Sequence, residues 1–88
     1  MTTFNRYADP GHSWVKVPKA LLESLGIESK ITLYSYARGE YVYLEEDCDL
    51  FTFHVAMQAA GKPFKLKEHH TNRESRIRGY EHYWSKDN

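Results

Sequence analysis

Eighty-eight residues, with 12 Lys and Arg against 12 Asp and Glu and with hydrophobic, charged and aromatic fractions of 41, 27 and 15%, describe one small globular domain. These values exclude a disordered chain, and zero net charge excludes a whole-molecule attraction to nucleic acid. No stretch approaches the ~20 apolar residues of a membrane span, Met1 to Pro10 carries no apolar leader, and the single Cys48 cannot form an internal disulfide, so a cytoplasmic protein is expected.

Met1 to Ser13 is polar and contains the turn signal Asp9-Pro10-Gly11, so residues 1–13 are expected to be an irregular tail. Trp14 to Val17 is a short strand ended by Pro18, which suits the first position of a helix because its missing N–H has no partner there. Leu21, Leu22 and Leu25 fall at helical spacing, and Gly26 stands where a left-handed C-terminal cap belongs, giving a helix over 18–25.

Lys30 to Ala37 and Glu40 to Glu45 each alternate in polarity, with Gly39 between them to supply a positive φ for a hairpin. The expected register pairs Tyr36 with Tyr41, Tyr34 with Tyr43 and Leu33 with Leu44. It places all four tyrosines on one face and Leu33, Ser35, Val42 and Leu44 on the other. Asp47 or Asp49 can cap a second helix from about Asp49 to Ala60, stopped by Gly61. That helix is apolar on most sides, as a buried or interfacial helix would be. Phe64 to Lys67 alternates as a last strand, Thr71 to Gly79 reads as a polar basic loop, and Tyr80 to Trp84 as an aromatic tail.

The element order is then β-α-β-β-α-β over a single domain of residues 1–88, with 81–88 as a second irregular tail. The fold class is α+β, a mainly antiparallel sheet with both helices on one face. The tyrosines would lie on the uncovered face.

Three groups of residues carry candidate chemistry. Tyr34, Tyr36, Tyr41 and Tyr43 suit a platform for unpaired bases, a protein interface, or cross-strand pairing that stabilises the hairpin alone. Glu45 and Glu46 open an acidic run through Asp47 and Asp49 that repels phosphate and suits helix capping, a partner-recognition surface or, less simply, a divalent metal. Arg73, Arg76 and Arg78 beside Tyr80 can grip phosphate or carboxylate, or pair with the acidic run of the same or a second molecule.

Cys48 reads as a small buried residue among carboxylates that oppose a thiolate. The five histidines lack zinc-ligand spacing. No catalytic residue, metal site or cofactor is assigned.

Two resemblances follow from the order of these residues. Trp14-Val15-Lys16-Val17-Pro18-Lys19-Ala20-Leu21-Leu22-Glu23-Ser24-Leu25-Gly26-Ile27 resembles the core of the AbrB-like swapped-hairpin regulators, with Ile31 to Leu44 in the place of their hairpin. That resemblance implies a dimeric DNA binder using basic residues near the first strand, here Arg6 and Lys16. Gly11 to Trp14, Ser35 to Asp49 and Ser75 to Tyr80 together resemble a set of small bacteriophage accessory proteins. That second resemblance implies a protein that binds and redirects a host or defence component. The expectation is a non-enzymatic binding module with a protein partner and a tendency to form a homo-oligomer, and no membrane association. The alternative is a nucleic-acid-binding regulator.

Overall fold

In the computed structural model, which describes residues 1–84, six strands form one mixed sheet with two α-helices against one face. The strands are β1 (Thr2–Ala8), β2 (Ser13–Pro18), β3 (Tyr36–Arg38), β4 (Tyr41–Glu45), β5 (Phe64–His70) and β6 (Glu81–His82). The helices are α1 (Lys19–Ser24) and α2 (Asp49–Ala59). The order across the sheet is β5-β1-β2-β4-β3-β6, and only β1 and β5 run parallel. The α+β class, the mainly antiparallel sheet and the one-sided helices are as the sequence implies. Two strands join the expected order, one at each end, and residues 85–88 of the expected C-terminal tail lie outside the described residues.

Alternation decides which side of each strand meets the helices. Phe4, Val15, Val17, Val42 and Leu44 point to one side and pack with Leu22 of α1 and with Phe53 and Met57 of α2. Val17, Leu22, Val42, Leu44 and Phe53 are fully buried there. Each such side chain contributes roughly 1.5–3 kcal/mol by leaving water.

Both helices close with the same device. The N–H of Gly26 donates to the carbonyl of Glu23 and that of Ile27 to Leu22; the N–H of Gly61 donates to Gln58 and that of Lys62 to Met57. These are paired C-terminal bonds that satisfy orphan carbonyls, with each glycine at positive φ.

Strand β1 replaces the expected N-terminal tail. It is central, paired to β2 on one side and β5 on the other. Only Phe4 of its residues is buried, so its sequence shows too little apolar alternation to announce a strand. A turn follows it in which the Asp9 carboxylate accepts from the N–H groups of Gly11 and His12.

The hairpin is shorter and differently paired than expected. Tyr36 pairs with Tyr43 and Arg38 with Tyr41, around a two-residue turn in which Gly39 adopts a φ of 60°. The slip from the expected register is an even number of residues, so it keeps Tyr36, Tyr41 and Tyr43 together on the side away from the helices. Tyr34 and Leu33 leave the hairpin and are exposed to 72 and 58%. A buried acid is responsible. Asp49, 1% exposed, accepts from the N–H and hydroxyl of Thr32 and the hydroxyl of Ser35, and holds residues 32–35 as a folded loop.

The cap of α2 is also a correction. Neither Asp47 nor Asp49 performs it. Glu45 turns its carboxylate onto the N–H groups of Asp47, Cys48 and Asp49, satisfying three donors at the positive end of the helix. Cys48, expected to be buried, is exposed.

Candidate functional site

Strand pairing arranges the face away from the helices in three rows. One row runs Lys65, Thr3, then Pro18, Tyr41, Arg38. The middle row runs Lys67, Asn5, Lys16, Tyr43, Tyr36, His82. The third runs His69, Tyr7, Trp14, Glu45. The first two rows hold Lys16, Arg38, Lys65 and Lys67 and not one carboxylate. In the third row, Glu45 is occupied with the start of α2 and is almost fully buried.

The segment after β5 comes back over this face. A 3₁₀ turn, Arg76–Gly79, seats buried Ile77 against Trp14 and Tyr43, with Tyr7, Tyr36 and Tyr80 around it. The expected basic loop is therefore a cover for a second, aromatic cluster. Asp9 fastens it. Its carboxylate takes Nε of Arg78 at 2.7 Å and Nη2 at 2.9 Å, and also accepts from the N–H of Ser75. The Arg78 guanidinium, first among its donors, holds the Asp9 carboxyl well below the usual carboxylate range despite burial. The same guanidinium lies 5.2 Å from the centre of the Trp14 ring. Past the turn, β6 closes the edge beside β3, where His82 stacks on Tyr36 at 4.8 Å, and Tyr83 crosses into the helix-side core.

The cover leaves a cleft of about 550 Å³ lined by Tyr7, Tyr43, Tyr80, Thr71, Arg73 and Ser75, with Arg76 and Glu74 also on its wall. Its volume lies within the roughly 300–1,000 Å³ of ligand clefts. Tyr43 forms the floor, 8% exposed, with Tyr80 at 5.1 Å and Tyr7 at 6.4 Å between ring centres. Burial first, then neighbouring Tyr80 and Tyr7, pushes the Tyr43 phenol above its ordinary value. Beyond the cover, the rings of Tyr41 and Tyr80 carry cations on their faces. Lys16 Nζ lies 4.2 Å from the Tyr41 centre and the Arg38 guanidinium 5.0 Å from that of Tyr80. Among the described residues, no carboxylate pairs with Lys16, Arg38, Lys65, Lys67, Arg73 or Arg76.

The structure thus brings Tyr36, Tyr41, Tyr43, Arg73 and Arg76 to one face, and Glu45 and Arg78 also lie on it but are already engaged. Tyr34 is exposed on the loop outside the strands, whose Leu33 carbonyl meets His82 Nδ1 at 2.7 Å; Glu45 caps α2; Arg78 is committed to Asp9. Glu46 accepts from the Ser13 hydroxyl at 2.7 Å and sits 3.5 Å from Arg6 and 3.6 Å from His12. His12, Glu46 and Asp47 have ligand atoms within 4.8 Å of one another, but Arg6 already supplies the cation there. The Cys48 thiol is pushed upward by Glu45 first, then by desolvation, Asp49 and Asp47, so it is protonated at neutral pH.

Sequence reasoning missed Tyr7, Lys16 and Arg38 as members of the face. The available signal was the alternation Thr3-Asn5-Tyr7, polar and weak, and the position of Lys16 between two buried valines. No protein-family model, curated protein or solved structure matches the chain. Among the described residues, no helix is long and apolar enough to cross a membrane.

Proposed function

We propose that this protein is a non-enzymatic binding module that docks an acidic partner on the helix-free face of its sheet. One observation carries the reading. Six cations, Lys16, Arg38, Lys65, Lys67, Arg73 and Arg76, share the face or its cleft without a carboxylate partner among the described residues. The zero net charge hides this, because Glu45 and Glu46 are turned to the other side or into the sheet's end. In the setting implied by the phage resemblance, the partner belongs to the host or its defences.

Retention on immobilised heparin and on polyglutamate tests the reading. The protein should elute from both at clearly higher salt than the Lys65→Glu/Lys67→Glu variant. A Lys30→Glu/Lys62→Glu variant, altered on the helix side, should elute less far from the parent. Equal shifts in the two variants would sink the assignment to this face.

A second reading concerns α2. Phe51 and Val55 stand 68 and 46% exposed on its outer side, and with Leu25, Ala59 and Ala60 they line a shallow groove against α1. A stripe at four-residue spacing on one helix can meet its own copy about a two-fold axis, and a chain of this size gains stability by burying it. We assign a homodimer to this stripe. Light scattering after size exclusion should show a dimer that Phe51→Glu converts to monomer; a strict monomer before substitution overturns it.

A further inference from the structure

We infer that the acidic partner is a single-stranded nucleic acid, laid across the two basic rows with one unpaired base in the aromatic cleft. This deepens the polyanion reading above and rests on it.

The rings distinguish nucleic acid from an acidic protein. Carboxylate side chains need cations and nothing more, whereas four of the six cations on this face stand beside an aromatic ring, with Lys65 and Lys67 next to Thr3 and Asn5 instead. Lys16 lies on Tyr41 and Arg38 on Tyr80, while Arg73 and Arg76 flank a cleft walled by Tyr7, Tyr43 and Tyr80. A cation that covers a ring in the free molecule can move to a phosphate and leave the ring to a base. Cation and ring then take up the two halves of a nucleotide, and the ring accepts any base because every base has a π-face.

The shape distinguishes single from double strands. A duplex hides its base faces, and reading its major groove takes a helix or ribbon that projects. Here both helices pack on the opposite side of the sheet, and what faces the ligand is a broad surface with a recess. From β5 to β3 the rows cross four strand spacings, roughly 19 Å at about 4.8 Å each. That span suits two or three nucleotides along the exposed first row, since the cover already occupies Tyr43 of the middle row. Thr71 and Ser75 lie on the wall of the recess, where a base edge would enter; their hydroxyl oxygens accept from the N–H groups of Arg73 and Ile77, which leaves each hydroxyl proton to donate. The acidic run that sequence reasoning set against nucleic acid is absent from the rows, because the Glu45 carboxylate is spent on α2 and Glu46 on Ser13 and Arg6.

The test is fluorescence anisotropy with labelled ten-nucleotide oligothymidylate and oligouridylate, a duplex of the same length and labelled polyglutamate, at two salt concentrations. The single strands should bind more tightly than the duplex, with a logarithmic salt slope near −0.7 for each phosphate engaged. Tyr41→Ala should weaken single-strand binding by about 5- to 150-fold, the loss of one stacked base, and leave polyglutamate binding unchanged. Tyr41→Phe, which keeps the ring, should retain binding, and Arg73→Glu/Arg76→Glu should lose it. Circular dichroism of each variant establishes that it is folded. Duplex bound as well as single strand overturns the single-strand inference. Polyglutamate bound while neither oligonucleotide binds overturns nucleic acid as the ligand but leaves the acidic-partner reading standing. Binding of none of the probes overturns both.

Discussion

The two faces of the sheet are built by different physics. The helix side is a continuous hydrophobic core in which Val17, Leu22, Val42, Leu44 and Phe53 are fully buried. The other side has a small cluster of Trp14, Tyr43 and Ile77, with half-buried tyrosines around it and a cover fastened through one ion pair. The first face holds the fold together through area removed from water. The second is held by a few directional contacts, and so it can be rearranged without unfolding the rest. The proposed recognition is assigned to this second face.

Substitutions on the two sides should separate these roles. The largest loss is expected from Phe53→Ala, which empties a fully buried site between Phe4 and Phe64. It should cost about 3–5 kcal/mol in denaturant unfolding, enough to threaten folding of so small a domain.

Next is Asp9→Ala. It removes the carboxylate that gathers Arg78 and the N–H groups of Gly11, His12 and Ser75, at about 2–4 kcal/mol. Its signature should be local. Hydrogen exchange in residues 71–80 should rise more than in α2, and an equal rise in both would erase the distinction between the faces. The anchor also has a pH dependence of definite sign. Its folded carboxyl titrates far below the unfolded value of about 3.9, so its contribution is complete above that value and fades as pH falls below it. The stability gap between the parent and Asp9→Asn should therefore be constant from pH 7 to about 5 and narrow below about 4. A gap that narrows near neutrality would show that another group sets it.

A smaller effect, about 1–2 kcal/mol, is expected from Glu45→Ala, which unties three N–H groups at the start of α2. It should lower helix content while leaving the exchange of residues 71–80 near that of the parent. Smallest is Tyr34→Ala, within about 0.5 kcal/mol in thermal unfolding, because this ring is exposed and outside the sheet.

What could be read in advance followed from local rules. The strand ended by Pro18, the α1 terminus at Gly26, the hairpin turn at Gly39 and the end of α2 at Gly61 all depend on backbone chemistry that a few neighbouring residues dictate. Helical spacing of Leu21, Leu22 and Leu25 and the alternation of Val42 and Leu44 then imply one sheet face under helices. The candidate site was legible in part. Three tyrosines and two arginines chosen for their chemistry share the face with free groups; Tyr34 and Glu46 lie off it, and Glu45 and Arg78 lie on it but are spent on a helix end and on Asp9.

Tertiary structure decided the remainder. Strand β1 exists because β2 and β5 supply hydrogen-bonding partners on both its edges, and each β5 partner lies 62 residues further along the chain, as from Thr2 to Phe64. The hairpin register slipped because buried Asp49, remote in sequence, drew Thr32 and Ser35 inward. Asp9 and Arg78, at opposite ends of the chain, bring the basic segment over the tyrosines. The amino-acid sequence by itself determined where the chain turns and which stripes are apolar, since those depend on covalent neighbours and period. Which charges survive unpaired on one surface depends on long-range contacts between polar groups, and only the folded chain could settle that.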